Sequence, residues 1–150
     1  MTPPFLLNVD LEIESKSPLR PLAREWGDKV IVLYSGRIKG RHFLALELPI
    51  WDRRIGPERR INAFCELIEG LSPAGMQVWK ATQKKTFDLG FEARLSKKLG
   101  NNFKLRPGPL RRLANLGASL AVTFYREDLD PVRNSDDGKK RLMRPKRKQK

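Results

Sequence analysis

The sequence contains a single cysteine and a single histidine, and it has no long apolar run. Cys65 has no second cysteine to pair with, which excludes an intramolecular disulfide and a cysteine-based metal site. A transmembrane helix needs ~20 apolar residues in succession, and no stretch approaches that length. The N-terminus lacks the basic start of a secretory signal and becomes acidic at Asp10. These absences favour a cytoplasmic protein with no membrane partner.

Acidic residues are few in comparison with basic ones. The chain holds 31 Lys and Arg against 17 Asp and Glu, which gives a formal net charge of +14. Residues 132–150 contain nine of the basic residues and two aspartates, so half of the net charge lies there. This stretch also loses all apolar periodicity. We therefore predict a single α/β domain over residues 1–131, followed by a disordered basic tail over residues 132–150.

The rest of the chain alternates between strand and helix patterns. Apolar residues recur at every second position in the predicted strands and at helical spacing between them. Ser17 and Pro18 are typical of a helix start, and Gly27 is typical of a helix end. The predicted strands cover residues 7–14, 30–34, 44–48, 87–95, 103–105 and 120–124, and the predicted helices cover residues 18–27, 57–70, 72–79 and 109–117.

Two segments of this pattern resemble each other. Residues 18–34 and residues 109–125 both begin Pro-Leu-Arg-X-Leu-Ala, reach a glycine, and end an apolar run at Tyr34 or Tyr125. Any two short strand–helix–strand units look somewhat alike, but the shared residues and equal lengths favour an internal duplication. The element order predicts an α+β fold. It is a ferredoxin-like split βαβ sheet with an additional C-terminal βαβ unit and with helices on one face.

Carboxylates on two predicted strands form the one pattern with catalytic potential. Asp10, Glu12 and Glu14 alternate on the first strand, and Asp88 and Glu92 do so on the fourth. Clustered carboxylates hold Mg²⁺ in enzymes that hydrolyse phosphodiesters. The alternative is a solvated face that basic side chains balance.

No other pattern indicates catalysis. His42 is not accompanied by a serine or cysteine nucleophile motif, and Cys65 falls in the apolar stripe of a predicted helix. We therefore predict that the protein is not an enzyme and has no metal or cofactor, with a metal-dependent nuclease as the alternative.

Basic residues next to an aromatic side chain indicate a different activity. Trp51 precedes Arg53 and Arg54 in a predicted loop, where an indole and guanidinium groups could stack a base or contact a protein. The alternative is a tryptophan that packs within its own loop. The dense charge of the tail attracts phosphate backbones through counterion release. The predicted nucleic-acid contacts are Arg53, Arg54, Arg59, Arg60, Lys139, Lys140, Arg141, Arg144, Lys146, Arg147 and Lys148. The predicted contacts with a protein partner are Trp51 and Phe43.

The C-terminal part of the domain resembles a known family. The stretch from residue 101 to 125 reads NNFKLRPGPLRRLANLGASLAVTFY. It is similar to a family of small bacterial ferredoxin-like domains of unknown function, some of which are candidate immunity proteins of polymorphic toxin systems. The positions that carry the resemblance are Asn102, Phe103, Leu105, Leu110, Leu113, Leu116 and Gly117. The resemblance implies a protein-binding role without a catalytic motif.

Two functions remain open at this point. The charge predicts a non-enzymatic accessory protein that binds DNA or RNA, or a ribonucleoprotein, through its tail and basic surface. The resemblance implies the alternative, a protein-binding module that acts as an immunity-like antagonist or as a subunit of a bacterial assembly.

Overall fold

One mixed sheet organises the chain. A computed structural model describes residues 5–93 and 102–126, and the predicted basic tail lies outside these residues. The described elements are β1 (Phe5–Ser15), α1 (Arg20–Trp26), β2 (Ile31–Ile38), β3 (Arg41–Glu47), α2 (Pro57–Glu69), α3 (Pro73–Ala81), β4 (Lys84–Ala93), α4 (Pro107–Asn115) and β5 (Ser119–Arg126).

The five strands lie in the order β2-β3-β1-β4-β5. β1 is the central strand, and it pairs antiparallel with β3 on one side and with β4 on the other. β2 pairs antiparallel with β3, whereas β5 runs parallel to β4. A sheet of this kind with four helices confirms the predicted α+β class.

The alternation in β1 separates an apolar face from a polar one. Val9, Leu11 and Ile13 are buried in the core. The register with β4 shifts between Leu6 and Asn8, and Leu6 packs against the core. A bulge of this kind inserts an extra residue, which reverses the alternation on its far side. The alternation over residues 7–14 assigns Leu7 to the same face as Val9, whereas Leu6 is the residue that packs against the core at this end of the strand.

The helices complete the core on the apolar face. α2 buries Ile61, Phe64, Cys65 and Ile68, which recur at helical spacing as the sequence predicts. The ring of Phe64 meets Phe87 of β4 edge-on, with centroids 5.6 Å apart. The apolar residues of the strands and those of the helices therefore pack together in a single layer.

Two predicted helix starts are displaced. α1 begins at Arg20, with Leu19 as its N-cap and no side-chain capping bond. The backbone N–H of Ser17 instead donates to Ser15 Oγ at 3.1 Å. α4 begins at Pro107, two residues before the predicted start. Proline is tolerated at more than one position of the first turn, so it locates a helix start only to within about a turn.

The predicted strand over residues 103–105 is not observed. Residues 102–106 precede α4 as an irregular segment, and Phe103 and Leu105 pack against the core from there. The ring of Phe103 stacks on Phe91 at 4.6 Å. An extended loop can also bury two apolar residues that are two positions apart. Such a short alternation therefore does not identify a strand.

The two similar sequence segments occupy different settings. The connection through α1 joins β1 to β2 and passes over β3, which lies between them. The connection through α4 joins β4 to its direct neighbour β5. The arrangement of the two units therefore does not confirm the predicted duplication.

Gly90 offers a test of the packing on the polar face. A Cβ at this residue would overlap Asn8 Oδ1 and would lie 3.0 Å from Cε2 of Tyr125. We expect Gly90→Ala to lower the free energy of unfolding by about 1 to 3 kcal/mol, because these neighbours must move. Urea denaturation followed by circular dichroism measures the change.

Gly108 provides the matched control. It lies in α4, where an added Cβ would have no neighbour within 4 Å. We expect Gly108→Ala to raise the free energy of unfolding by up to about 1 kcal/mol, since alanine favours a helix over glycine. Equal effects of the two substitutions would contradict the close packing at Gly90.

Candidate functional site

The segment between β3 and α2, residues 48–56, carries the most exposed aromatic side chain among the described residues. We call it the Trp51 loop. Trp51 is 77% exposed, whereas Leu48 is buried and Ile50 packs partly against the core. The loop is thus attached to the core at its start and presents the indole to solvent.

Arg60 holds this loop in place from beneath. Its Nε donates to the carbonyl of Ile55 at 2.9 Å, and its Nη2 donates to the carbonyl of Asp52 at 3.2 Å. A third, longer bond runs from Nη1 to the carbonyl of Ile50 at 3.4 Å. The fork of an arginine can satisfy several carbonyls at once, so one side chain organises the whole loop.

Arg60, a predicted nucleic-acid contact, lies in a buried position. The residue is only 5% exposed, and burial lowers the pKa of its guanidinium from the usual value. A side chain in this setting does not present its charge to a phosphate. The sequence pattern placed Arg60 with its exposed neighbour Arg59 because spacing alone does not tell which of two adjacent arginines turns inward.

A local ion pair shapes the tip of the loop. Arg54 donates from Nε to Asp52 Oδ1 and from Nη2 to Asp52 Oδ2, both at 3.0 Å. This pairing lowers the pKa of Asp52 and raises the pKa of Arg54. The charge of Arg54 is therefore partly balanced, and the neighbouring residues Arg53 and Arg59 are exposed.

The structure assembles only part of the predicted site. Trp51, Arg53, Arg54 and Arg59 belong to the Trp51 loop and the first turn of α2. The predicted contacts in the tail lie outside the described residues. Phe43 lies on a different element, β3, where its half-buried ring contacts Tyr34 at a centroid distance of 5.9 Å.

Other basic residues of the domain serve to join helices. Arg106 pairs with Glu58 at 2.8 Å, and Arg112 pairs with Glu69 at 2.8 Å. Arg112 also donates to Asn62 Oδ1 at 3.2 Å. These bonds connect α4 and the residue before it to α2. Spacing along the sequence does not distinguish such structural arginines from binding ones.

The face of the sheet opposite the core carries a row of carboxylates. Asp10 of β1 lies directly across from Glu47 of β3 and from Asp88 of β4. The hydroxyl of Thr123 donates to Asp88 Oδ1 at 2.8 Å. Asp10 and Asp88 are each only 5% exposed, so this row is not the solvated surface that alternation suggests.

Within residues 5–93 and 102–126, no group of three or more His, Cys, Asp or Glu side chains is arranged to hold a metal ion. Cys65 is fully buried, and burial raises its pKa to about 11, which keeps the thiol protonated at neutral pH. Such a thiol is a packing group.

Comparisons with known proteins do not assign this chain to a family. No family model, curated protein or solved structure matches this chain. The resemblance over residues 101–125 therefore stays a prediction. Among the described helices, none is long and apolar enough to cross a membrane.

The role of Arg60 can be tested by replacing it with a side chain of similar length. We expect Arg60→Met to lower the free energy of unfolding by about 2 to 4 kcal/mol, because three inward carbonyls lose a charged donor. Arg59→Met changes an exposed neighbour in the same turn and should stay within about 0.5 kcal/mol of the wild type. Urea denaturation measures both. Equal losses in the two variants would show that Arg60 does not organise the loop.

Proposed function

We propose that this chain is a non-enzymatic accessory protein of the cytoplasm that binds nucleic acid through the Trp51 loop and its basic C-terminal residues. The observation that carries the proposal is the exposed indole of Trp51 on a loop that the buried Arg60 holds. Arg53 and Arg54 follow Trp51 in this loop, and Arg59 lies in the first turn of α2, so all three add positive charge to the same segment. The net charge of +14 supports the same conclusion at longer range.

This arrangement suits an unpaired base and its phosphates. An exposed indole offers a π-face on which any base can stack, and guanidinium groups contact the backbone. Since the loop is organised before binding, little conformational entropy is lost when a ligand orders it. Contacts of these kinds read little sequence, so we expect binding to be weakly specific and to accept both DNA and RNA.

We also propose that β1 to β4, with the helices between them, form a ferredoxin-like unit. The support is the order β2-β3-β1-β4 with antiparallel neighbours, which a split βαβ plan produces. α4 and β5 then extend the unit at the β4 edge. This plan leaves the Trp51 loop at one end of β3.

The tryptophans provide a direct test of the binding site. Trp26 and Trp79 are buried, and the indole N–H of each donates to a backbone carbonyl. Quenching of fluorescence by a single-stranded oligonucleotide should therefore report on Trp51. We expect titrations at several salt concentrations to show quenching that weakens steeply as salt rises.

A pair of variants makes this test specific. Trp51→Ala should weaken binding about 5- to 100-fold, since stacking contributes ~1 to 3 kcal/mol per base. Val32→Ala, at an exposed apolar residue of β2, should leave affinity unchanged. Undetectable binding to DNA and RNA at low salt would refute the proposal.

A second candidate function, protein binding, rests on the edge strand β5. Leu120, Val122 and Phe124 are exposed on its core-side face, with Phe124 at 62%, and Leu110 of α4 is exposed as well. Exposed apolar side chains on the last strand of a sheet are a common contact for another protein.

A substitution at Phe124 distinguishes protein binding through β5 from nucleic-acid binding through the Trp51 loop. We expect Phe124→Ser to abolish a stoichiometric complex purified from the native host and to leave the affinity for oligonucleotides unchanged. Val32→Ser is the control at a second exposed apolar residue. A complex that survives Phe124→Ser would rule out β5 as the contact.

A further inference from the structure

A second group of basic side chains lies at one end of the sheet. β2 ends, β3 begins, β1 ends and β4 begins at this end, because each of these strands is antiparallel to its neighbour. The Trp51 loop follows β3 and therefore lies at the opposite end. We call the first end the hairpin end, since the turn between β2 and β3 is located there. Its basic residues are Lys16, Arg37, Lys39, Arg41 and Lys84.

The hairpin end has more basic charge than its acidic residues balance. Glu14 pairs with both Arg41 and Lys84, at 3.6 and 3.5 Å, so two cations share one carboxylate. Within residues 5–93 and 102–126, no carboxylate forms an ion pair with the other three basic residues of this end. All three are exposed. The hairpin end therefore carries a surplus of positive charge that a polyanion in solution can reach.

Hydrogen bonds fix these residues in a row across the strand ends. The backbone N–H of Lys16 donates to Gln83 Oε1 at 2.8 Å, which connects the end of β1 to the start of β4. The guanidinium of Arg37 donates from Nη2 to the carbonyl of Gly40 at 3.1 Å, across the turn. Neighbouring strands lie ~4.8 Å apart, so the row from β2 to β4 is about 14 Å long. Phosphates recur every ~3.4 Å along the axis of each strand of a duplex, so the row is long enough to contact several of them.

The turn places a lysine where the backbone favours other residues. Lys39 has a φ of 50° and Gly40 has a φ of 77°, as the two central residues of a type I′ turn require. Asparagine and glycine adopt this conformation at the least cost. Among the described residues other than glycine, Lys39 alone has a positive φ. The lysine thus occupies the tip of the turn at a cost in stability, and such costs are typical of residues with a function.

We propose that the hairpin end is a second surface that contacts the phosphate backbone of nucleic acid. A row of exposed lysine and arginine side chains suits closely spaced phosphates, because each cation that neutralises a phosphate releases a counterion. The inference rests on the proposed nucleic-acid binding and adds a contact surface to it. β3 is 7 residues long, so about 20 Å separates the hairpin end from the Trp51 loop. The two surfaces therefore contact different parts of the ligand.

Removal of charge at the hairpin end tests this contact. In a full chain with Arg37→Gln, Lys39→Gln and Arg41→Gln, the hairpin variant, we expect the affinity for a labelled single strand of about 16 nucleotides to fall at least tenfold at ~0.15 M salt. The slope of affinity against salt should fall by about 2, since each phosphate contact on a single strand contributes ~0.7. Fluorescence anisotropy at several salt concentrations measures both.

A matched variant removes the same charge from other elements. Arg24 in α1, Lys104 before α4 and Arg111 in α4 are exposed and belong to neither surface. Their joint substitution by glutamine should weaken binding at most threefold, through net charge alone. Equal losses in the two triple variants would overturn the proposal. Competition by polyglutamate as strong as that by unlabelled oligonucleotide would overturn it too, because the hairpin end would then take acidic protein.

The Trp51 loop is read out separately from the hairpin end. With the oligonucleotide at saturation, we expect the hairpin variant to show the wild-type quenching of Trp51, because its loop is unchanged. A loss of affinity in the hairpin variant but not in Trp51→Ala would support the hairpin end and refute the proposed contact at the Trp51 loop. The reverse result would overturn the contact at the hairpin end alone. A wild-type chain that binds no oligonucleotide at low salt would overturn both.

A single substitution in the turn separates binding from folding. Asparagine tolerates a positive φ, so we expect Lys39→Asn to unfold at the same urea concentration as the wild type or at a higher one. Its affinity for the oligonucleotide should nevertheless fall about threefold to tenfold, with the loss of one phosphate contact. Lys39→Arg keeps the charge and should bind within about twofold of the wild type. Wild-type affinity in a folded Lys39→Asn variant would contradict the proposal.

Discussion

The pairing of β1 with two strands at once is the constraint on which the rest of the structure depends. β1 is the first strand in the chain, yet it lies in the middle of the sheet, between β3 and β4. This position fixes the alternation of its side chains on both sides. Leu11 and Ile13 therefore enter the core, and Asp10 enters a row with Glu47 and Asp88. A shift of β1 by one residue relative to β3 and β4 would move its apolar side chains to the polar face and its polar side chains to the core. The same register therefore specifies both the core and the acidic row.

A buried arginine, Arg60, fixes the loop that carries the exposed Trp51. Arg60 lies in the first turns of α2, and its guanidinium reaches carbonyls on both sides of Trp51. An irregular loop needs such internal donors, because its carbonyls have no partner strand or helix turn. The most exposed aromatic side chain among the described residues thus lies on a loop that depends on a residue that solvent hardly reaches. The adjacent residue, Arg59, lies on the side of the same helix that faces solvent.

The charge of this protein is separated in space. The net value of +14 suggests a uniformly basic surface, but several arginines are paired with acidic residues between helices, as Arg106 and Arg112 are. The face of the sheet opposite the core carries a row of carboxylates, whereas the Trp51 loop is basic.

The sequence by itself determined what depends on neighbouring residues. The alternation of β1 and the apolar stripe of α2 follow from local periodicity, the loop around Trp51 follows from composition, and the α+β class follows from the order of the elements. Only the tertiary structure decided that Phe103 packs from a loop, that Arg60 turns inward and that Asp10 is buried between two other carboxylates. The physical reason is that these outcomes depend on contacts between residues far apart in the chain, and a local pattern contains no information about which distant group a side chain will meet.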